Sequence, residues 1–128
     1  MFKITPIQEK SMQKSICEAC GAVYREDAFA YLMLDVESGN TMAVSQFEIS
    51  GSDGKIFDIK PAKGIDDDEA MFILTRQTMN FIDMCGAHIC YADIDSASAR
   101  LLHAAGFRET DGMWRADMNG MFDGKCDH

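Results

Sequence analysis

Apolar and polar positions in this chain change period several times, and each change marks an element. Phe2-Lys3-Ile4 reads as a short edge strand. Thr5-Pro6-Ile7-Gln8 then reads as a helix start, with Thr5 as cap, Pro6 at the first helical position and Gln8 completing a capping box. Met12, Ile16, Ala19 and Cys20 fall on one face of that helix, and Gly21 ends it. Ala28 to Val36 is apolar on both faces, the pattern of a central strand. Ser38-Gly39-Asn40 turns the chain into a second strand, Thr41 to Ile49, and Ser50-Gly51-Ser52-Asp53-Gly54 turns it into a third, Lys55 to Lys60. Three successive strands joined this way are most simply antiparallel.

After Pro61 a glycine-bearing loop, Lys63-Gly64-Ile65, leads into a long helix opened by Asp66-Asp67-Asp68-Glu69. Met71, Leu74, Thr78, Phe81, Ile82 and Cys85 share its apolar face, with Arg76, Asn80 and Asp83 opposite and Gly86 as its stop. A strand from Ala87 to Asp93 follows, then a short helix from Ser96 to Ala105. Two last strands, Phe107 to Glu109 and Met113 to Met118, meet at a Thr110-Asp111-Gly112 turn. The pattern predicts a mixed α/β fold, one domain over residues 1–118, with an irregular tail over 119–128.

Composition narrows the partners. The formal charge of -9 disfavours nucleic acid, which is bound mainly through Lys and Arg, and disfavours an anionic membrane surface. No run reaches the length of a membrane span, and Met1-Phe2-Lys3-Ile4 lacks the pattern of a secretory signal, so the expected compartment is the cytoplasm. The five cysteines are odd in number and do not space as a disulfide framework. Cys17, Cys20, Cys85 and Cys90 lie in apolar segments and read as small buried hydrophobes in a reducing compartment. Cys17-Glu18-Ala19-Cys20 has the spacing of half a metal site, with Cys126-Asp127-His128 as the one conceivable partner. The first pair ends a helix and the second lies in the tail, so no metal is expected.

The order of elements, the Ile59-Lys60-Pro61 at the end of the third strand of the antiparallel run, and the stretch Asp95-Ser96-Ala97-Ser98-Ala99-Arg100-Leu101-Leu102-His103-Ala104-Ala105-Gly106-Phe107 together resemble the GNAT N-acetyltransferase family. There a "V-x-P" closes the central strand, and a later motif runs Asn, small residues, Arg, Leu, Tyr, then Leu-Gly-Phe. The resemblance implies a single-domain GNAT-like fold with a mixed central sheet flanked by helices. It implies acetyl-CoA as cofactor, held in an opening between the central strand and the strand after the long helix. Ile59 and Lys60 would face the pantetheine arm, and Lys63, Gly64 and Ile65 would approach the phosphates. The implied reaction is direct attack of an amine, on a small molecule or a protein, upon the acyl thioester.

Two departures bear on that implication. The family's phosphate loop carries Arg or Gln, two residues, Gly, one residue, then Gly or Ala; this chain keeps Gly64 and runs into four acids. Those acids also suit a helix start, with Asp66 as N-cap and carboxylates favoured by the helix dipole. The family's proton-donating Tyr is matched by Leu102, which has no proton to give. His103 is one residue on, a turn of about 100 degrees around the helix, and reads as a surface or partly buried residue with no catalytic role. Asp95, at the place of the family's Asn, reads as a cap of the short helix. Asp58 and Glu48 lie on strands that line the opening and are candidates for a general base, but neither is singled out, and the catalytic residues stay unassigned. Trp114 suits either the core or a cleft wall. Two functions therefore stand: an acyl-CoA N-acyltransferase, or a non-catalytic GNAT-like domain that binds a protein or small ligand after losing its CoA site.

Overall fold

The computed structural model describes residues 1–122. Ten elements follow one another: β1 (Phe2–Pro6), α1 (Lys10–Cys20), β2 (Phe29–Asp35), β3 (Thr41–Ser50), β4 (Asp53–Pro61), α2 (Asp68–Met84), β5 (Ile89–Ala92), α3 (Ala99–Ala105), β6 (Arg108–Thr110) and β7 (Met113–Asp117). The strands form a seven-stranded sheet ordered β1-β2-β3-β4-β5-β7-β6. β2, β3 and β4 are antiparallel neighbours, as their turns predict. The β4–β5 pair is parallel, which requires a crossover, and α2 supplies it.

Helices cover the two faces of the sheet unequally. On one face Ile16, Cys17 and Cys20 of α1 pack on Ala30, Leu32 and Val44. On the other, Leu74, Met79 and Ile82 of α2 join Met33, Phe47, Ile56 and Ile59 in the main core, where Trp114 and Leu102 are also buried. Trp114 is thus core. Gly54, read as part of a turn, lies inside β4, and α2 passes so close that a Cβ there would sit 2.3 Å from Ile82 Cγ2. The turn itself is only Gly51-Ser52.

The N-terminal reading needs correction. Thr5 and Pro6 do not open a helix; they complete β1, which pairs with β2 through Pro6↔Tyr31. Proline is tolerated on an edge strand because no ladder donor is needed there. The helix starts at Lys10 with Glu9 at its N-cap and no side-chain cap. Its buried face is Gln13, Ile16, Cys17 and Cys20, the i, i+3, i+4, i+7 stripe, while Met12 is 47% exposed and Ala19 is exposed too. At the end of α2 the expectation holds: Gly86 takes φ 93, its N–H reaches Asp83 O, and Ala87 N–H reaches Ile82 O. Cys85, however, is exposed, because it sits at the helix C-cap beyond the buried stripe. Of the expected tail, Met121 and Phe122 pack against the core; Cys126, Asp127 and His128 lie outside the described residues.

Candidate active site

Pairing between β4 and β5 runs through Asp53↔Ile89 to Ile56↔Ala92 and stops. β4 continues to Pro61, hydrogen-bonded only to β3 as a strand partner, while the chain after β5 swings away towards α3. The parting follows an irregularity: Gln46 pairs with Asp58 and Phe47 with Ile56, leaving Phe57 as an extra residue on β4. A bulge of this kind bends its strand and re-aims the side chains next to it. Beyond it Ile59 faces α2 and Asp58 faces the α1 side.

The opening continues into a cavity of about 440 Å³ on the α2 side. Its walls include Ile59, Ile65, Met71, Phe72 and Leu101. Its mouth carries Asp66, Asp67 and Asp68 from the start of α2, with Arg100 from α3. Ile59 and Ile65 are therefore at the cavity. Lys60 sends its Nζ to Asp95 O at 2.9 Å. Lys63 and Gly64 stand exposed on the loop, and Gly64 is a glycine for its φ of 82.

Several polar groups at this opening are engaged with the chain itself. Asp67, not Asp66, is the N-cap of α2, and its Oδ1 accepts the Ala70 N–H at 3.0 Å. Arg100 Nη2 lies 2.9 Å from Asp68 Oδ2, an exposed pair. The Ile59 N–H, on the free edge of β4, donates to Ser96 O at 2.9 Å, so the loop after β5 crosses the gap with one backbone bond. Asp95 does not cap α3; Ser98 does, accepting the Leu101 N–H at 3.1 Å. Leu102 is fully buried and His103 exposed, so neither presents a proton donor to the opening.

On the opposite side of β4 a buried polar chain surrounds Asp58. Gln46 Nε2 donates to Asp58 Oδ2 at 3.0 Å and to Val23 O at 2.7 Å. Gln46 Oε1 accepts from Gln13 Nε2 at 3.0 Å and from Arg25 N at 2.9 Å. Gln13 Oε1 in turn accepts from Lys10 Nζ. Every hydrogen-bonding group of the Gln46 side chain is used, which is how a fully buried amide avoids a desolvation penalty. The network pins the α1–β2 loop beside β4. Arg25 from that loop lies over the Phe57 ring at 4.4 Å, with its Nε 3.9 Å from Asp58 Oδ2. Burial pushes the Asp58 carboxyl above the usual carboxylate range, against the Gln46 hydrogen bond and the charges of Arg25 and Lys60, which pull it down. Glu48, the other candidate base, is exposed.

Sequence reasoning passed over Gln13, Gln46 and Arg25, and gave Ser96 and Asp67 other places in their helix starts. A signal existed for Gln46, a polar residue inside a strand otherwise buried on both faces. None existed for Ser96, whose role belongs to its backbone carbonyl. Cys17 and Cys20 are buried and unpaired, and burial raises both thiols to about 11, with Asp58 adding to the rise at Cys17. Among the described residues no cluster of His, Cys, Asp or Glu is arranged to hold a metal ion, and no helix is long and apolar enough to cross a membrane.

No family model and no curated protein matches the chain by sequence. Solved structures match it by shape. An IAA acetyltransferase from Bacillus cereus superposes with a TM-score of 0.69 at 16% identity, covering 90% of this chain and 97% of its own. A putative acetyltransferase of the GNAT family from Desulfovibrio desulfuricans gives 0.68 at 10% identity, covering 92% and 99%. The putative N-acetyltransferase YhhK from E. coli, bound to coenzyme A, gives 0.70 at 12% identity, covering 91% and 98%. At such identities the likeness speaks for architecture alone, and with the parted β4 and β5 it leads to one conclusion: this chain has the GNAT acetyltransferase fold.

Proposed function

We propose that this chain is an N-acyltransferase that moves an acyl group from a thioester of the coenzyme A type to an amine by direct attack. The observation that carries this reading is Asp58, a largely buried carboxylate beside the bulge where β4 leaves β5. An amine arrives as an ammonium ion and must lose a proton before it can attack. A carboxylate whose pKa is raised by burial is a stronger base than a solvated one, and nearer the operating pH. Gln46 holds Oδ2, which orients the carboxylate. Residues 21–28, fastened by the same glutamine, supply a wall on the side from which the acceptor would approach.

Coenzyme A, present in the YhhK structure, fits this opening only in part. The apolar cavity suits a pantetheine arm, with Ile59 and Ile65 on its walls. Lys60, expected beside the arm, instead bonds Asp95 O, and Lys63 and Gly64, expected near the phosphates, stand exposed on the loop; all three stay candidates for the cofactor's outer part. The pyrophosphate does not fit: the helix end is capped by Asp67, and Asp66 and Asp68 flank it. When bound, the thioester supplies the activated acyl carbon; Asp58 holds the proton.

The test is thiol release from acetyl-CoA and from S-acetyl-pantetheine at saturating concentration, over a panel of primary amines. Transfer by the native chain is expected, with Asp58→Asn slower by about 10²–10⁴-fold, the range for a lost general base. The rate of the native chain should fall in acid with an apparent pKa above the usual aspartate range. Thiol release from neither donor sinks the reading. The second reading, a non-catalytic domain that binds a ligand or protein, is favoured by the Ile59–Ser96 bond, which uses the edge amide that would otherwise meet the arm.

A further inference from the structure

We propose that the cleft recognises its acyl donor through the pantetheine arm alone and discriminates against the nucleotide end of coenzyme A. This inference rests on the acyltransferase reading and names its donor class: acyl thioesters of pantetheine that lack the adenosine diphosphate portion.

The mouth and the interior of the cavity are built for different ligands. Inside, Ile59, Ile65, Met71, Phe72 and Leu101 make walls for an uncharged chain. At the mouth, the lining residues Asp66, Asp67 and Asp68 face one cation, Arg100, so three negative charges meet one positive. That cation is already paired with Asp68 at 2.9 Å. One of the α2 first-turn amides, that of Ala70, is already bonded to Asp67. Lys60 is tied to Asp95 O, and Lys63 stands outside the cavity lining.

A pyrophosphate placed here would share the helix end with the Asp67 cap and with two more carboxylates. Asp67 already uses part of the attraction of that helix end for an anion, and the attraction falls off within the first turn. Like charges near 4 Å repel more strongly than that attraction once the effective dielectric falls to about 20, the value typical near a protein surface. A neutral arm carries no charge and so meets none of this repulsion.

Calorimetric titration of the native chain and of the Asp66→Asn, Asp68→Asn double variant, with S-acetyl-pantetheine and with acetyl-CoA at low and high salt, tests the proposal. Neither substituted residue is the α2 cap, so the helix start is kept. The native chain should bind acetyl-pantetheine at least as tightly as acetyl-CoA. Salt should narrow any gap between them, because exposed charges are screened. The double variant should tighten acetyl-CoA by about tenfold, the effect of removing roughly 1.4 kcal/mol of repulsion, and leave acetyl-pantetheine unchanged. Acetyl-CoA binding about tenfold or more tighter than acetyl-pantetheine to the native chain overturns this inference and leaves the acyltransferase reading standing. Equal acetyl-CoA affinity in the native chain and the double variant overturns it as well. Binding of neither donor overturns both.

Discussion

Asp58 and Cys85 show how much a single residue's surroundings decide. Asp58 is buried to 7% exposure against Gln46, and its carboxyl is shifted up by that burial. A raised folded pKa lends stability that is full below the unfolded pKa and is lost as pH rises through the folded value. Asp58→Asn cannot ionise. It should therefore melt higher than the native chain at neutral pH, with the difference closing in acid below the ordinary aspartate range; a difference that widens in acid contradicts the buried-charge account. Among the thiols, burial holds Cys17 and Cys20 near about 11 and Cys90 at about 12, whereas Cys85 is exposed. Mass spectrometry after brief alkylation of the folded chain should find Cys85 labelled well ahead of those three. The exposure of Cys85 was hidden in the sequence because an apolar neighbourhood in one dimension says nothing about which side of a helix end faces solvent.

At the scale of elements, two close approaches govern α2. Its start is fastened by Asp67, so Asp67→Ala should cost about 0.5–2 kcal/mol as a lost cap, while Asp66→Ala should change thermal stability little. A larger loss for Asp66→Ala than for Asp67→Ala in chemical denaturation would return the cap to Asp66. Its middle lies against Gly54, and Gly54→Ala should cost about 1–3 kcal/mol because the new methyl meets the fully buried Ile82. The helix itself, its apolar face and its Gly86 stop were legible from the residues. The choice between neighbouring aspartates was not, since a cap is set by where the loop brings a backbone N–H, to within a fraction of an ångström. The same limit explains α1: the Thr5-Pro6 signal is sound locally, but pairing with β2 claims those residues for β1.

At the scale of the whole molecule, Gln46 joins α1, the α1–β2 loop, β3 and β4. Gln46→Leu would take the glutamine partner from Arg25 N, Val23 O and Asp58 Oδ2, while Gln13 Nε2 keeps Arg25 O. An orphaned buried group costs about 1–3 kcal/mol, and the variant should lose at least that much stability. Amide exchange should also speed up over residues 22–27 more than over β3, because the loop loses its anchor and β3 keeps its ladders. Uniform exchange across the chain would show that the glutamine merely fills space.

The sequence by itself determined the kinds of element and most of their order, the three antiparallel strands, the long crossover helix and the hairpin at the end. Hydrophobic period and turn residues are summed over many positions, so one misread residue such as Met12 does not destroy them. Tertiary structure decided the site. The Gln46–Asp58 bond spans twelve positions in sequence and Gln46–Gln13 thirty-three, and the Ile59–Ser96 bond crosses from one strand to the loop after another. Such contacts have no local pattern to announce them. They exist only after packing has set the distances, and those distances bury Asp58 against Gln46 and gather three aspartates at the mouth of the cleft.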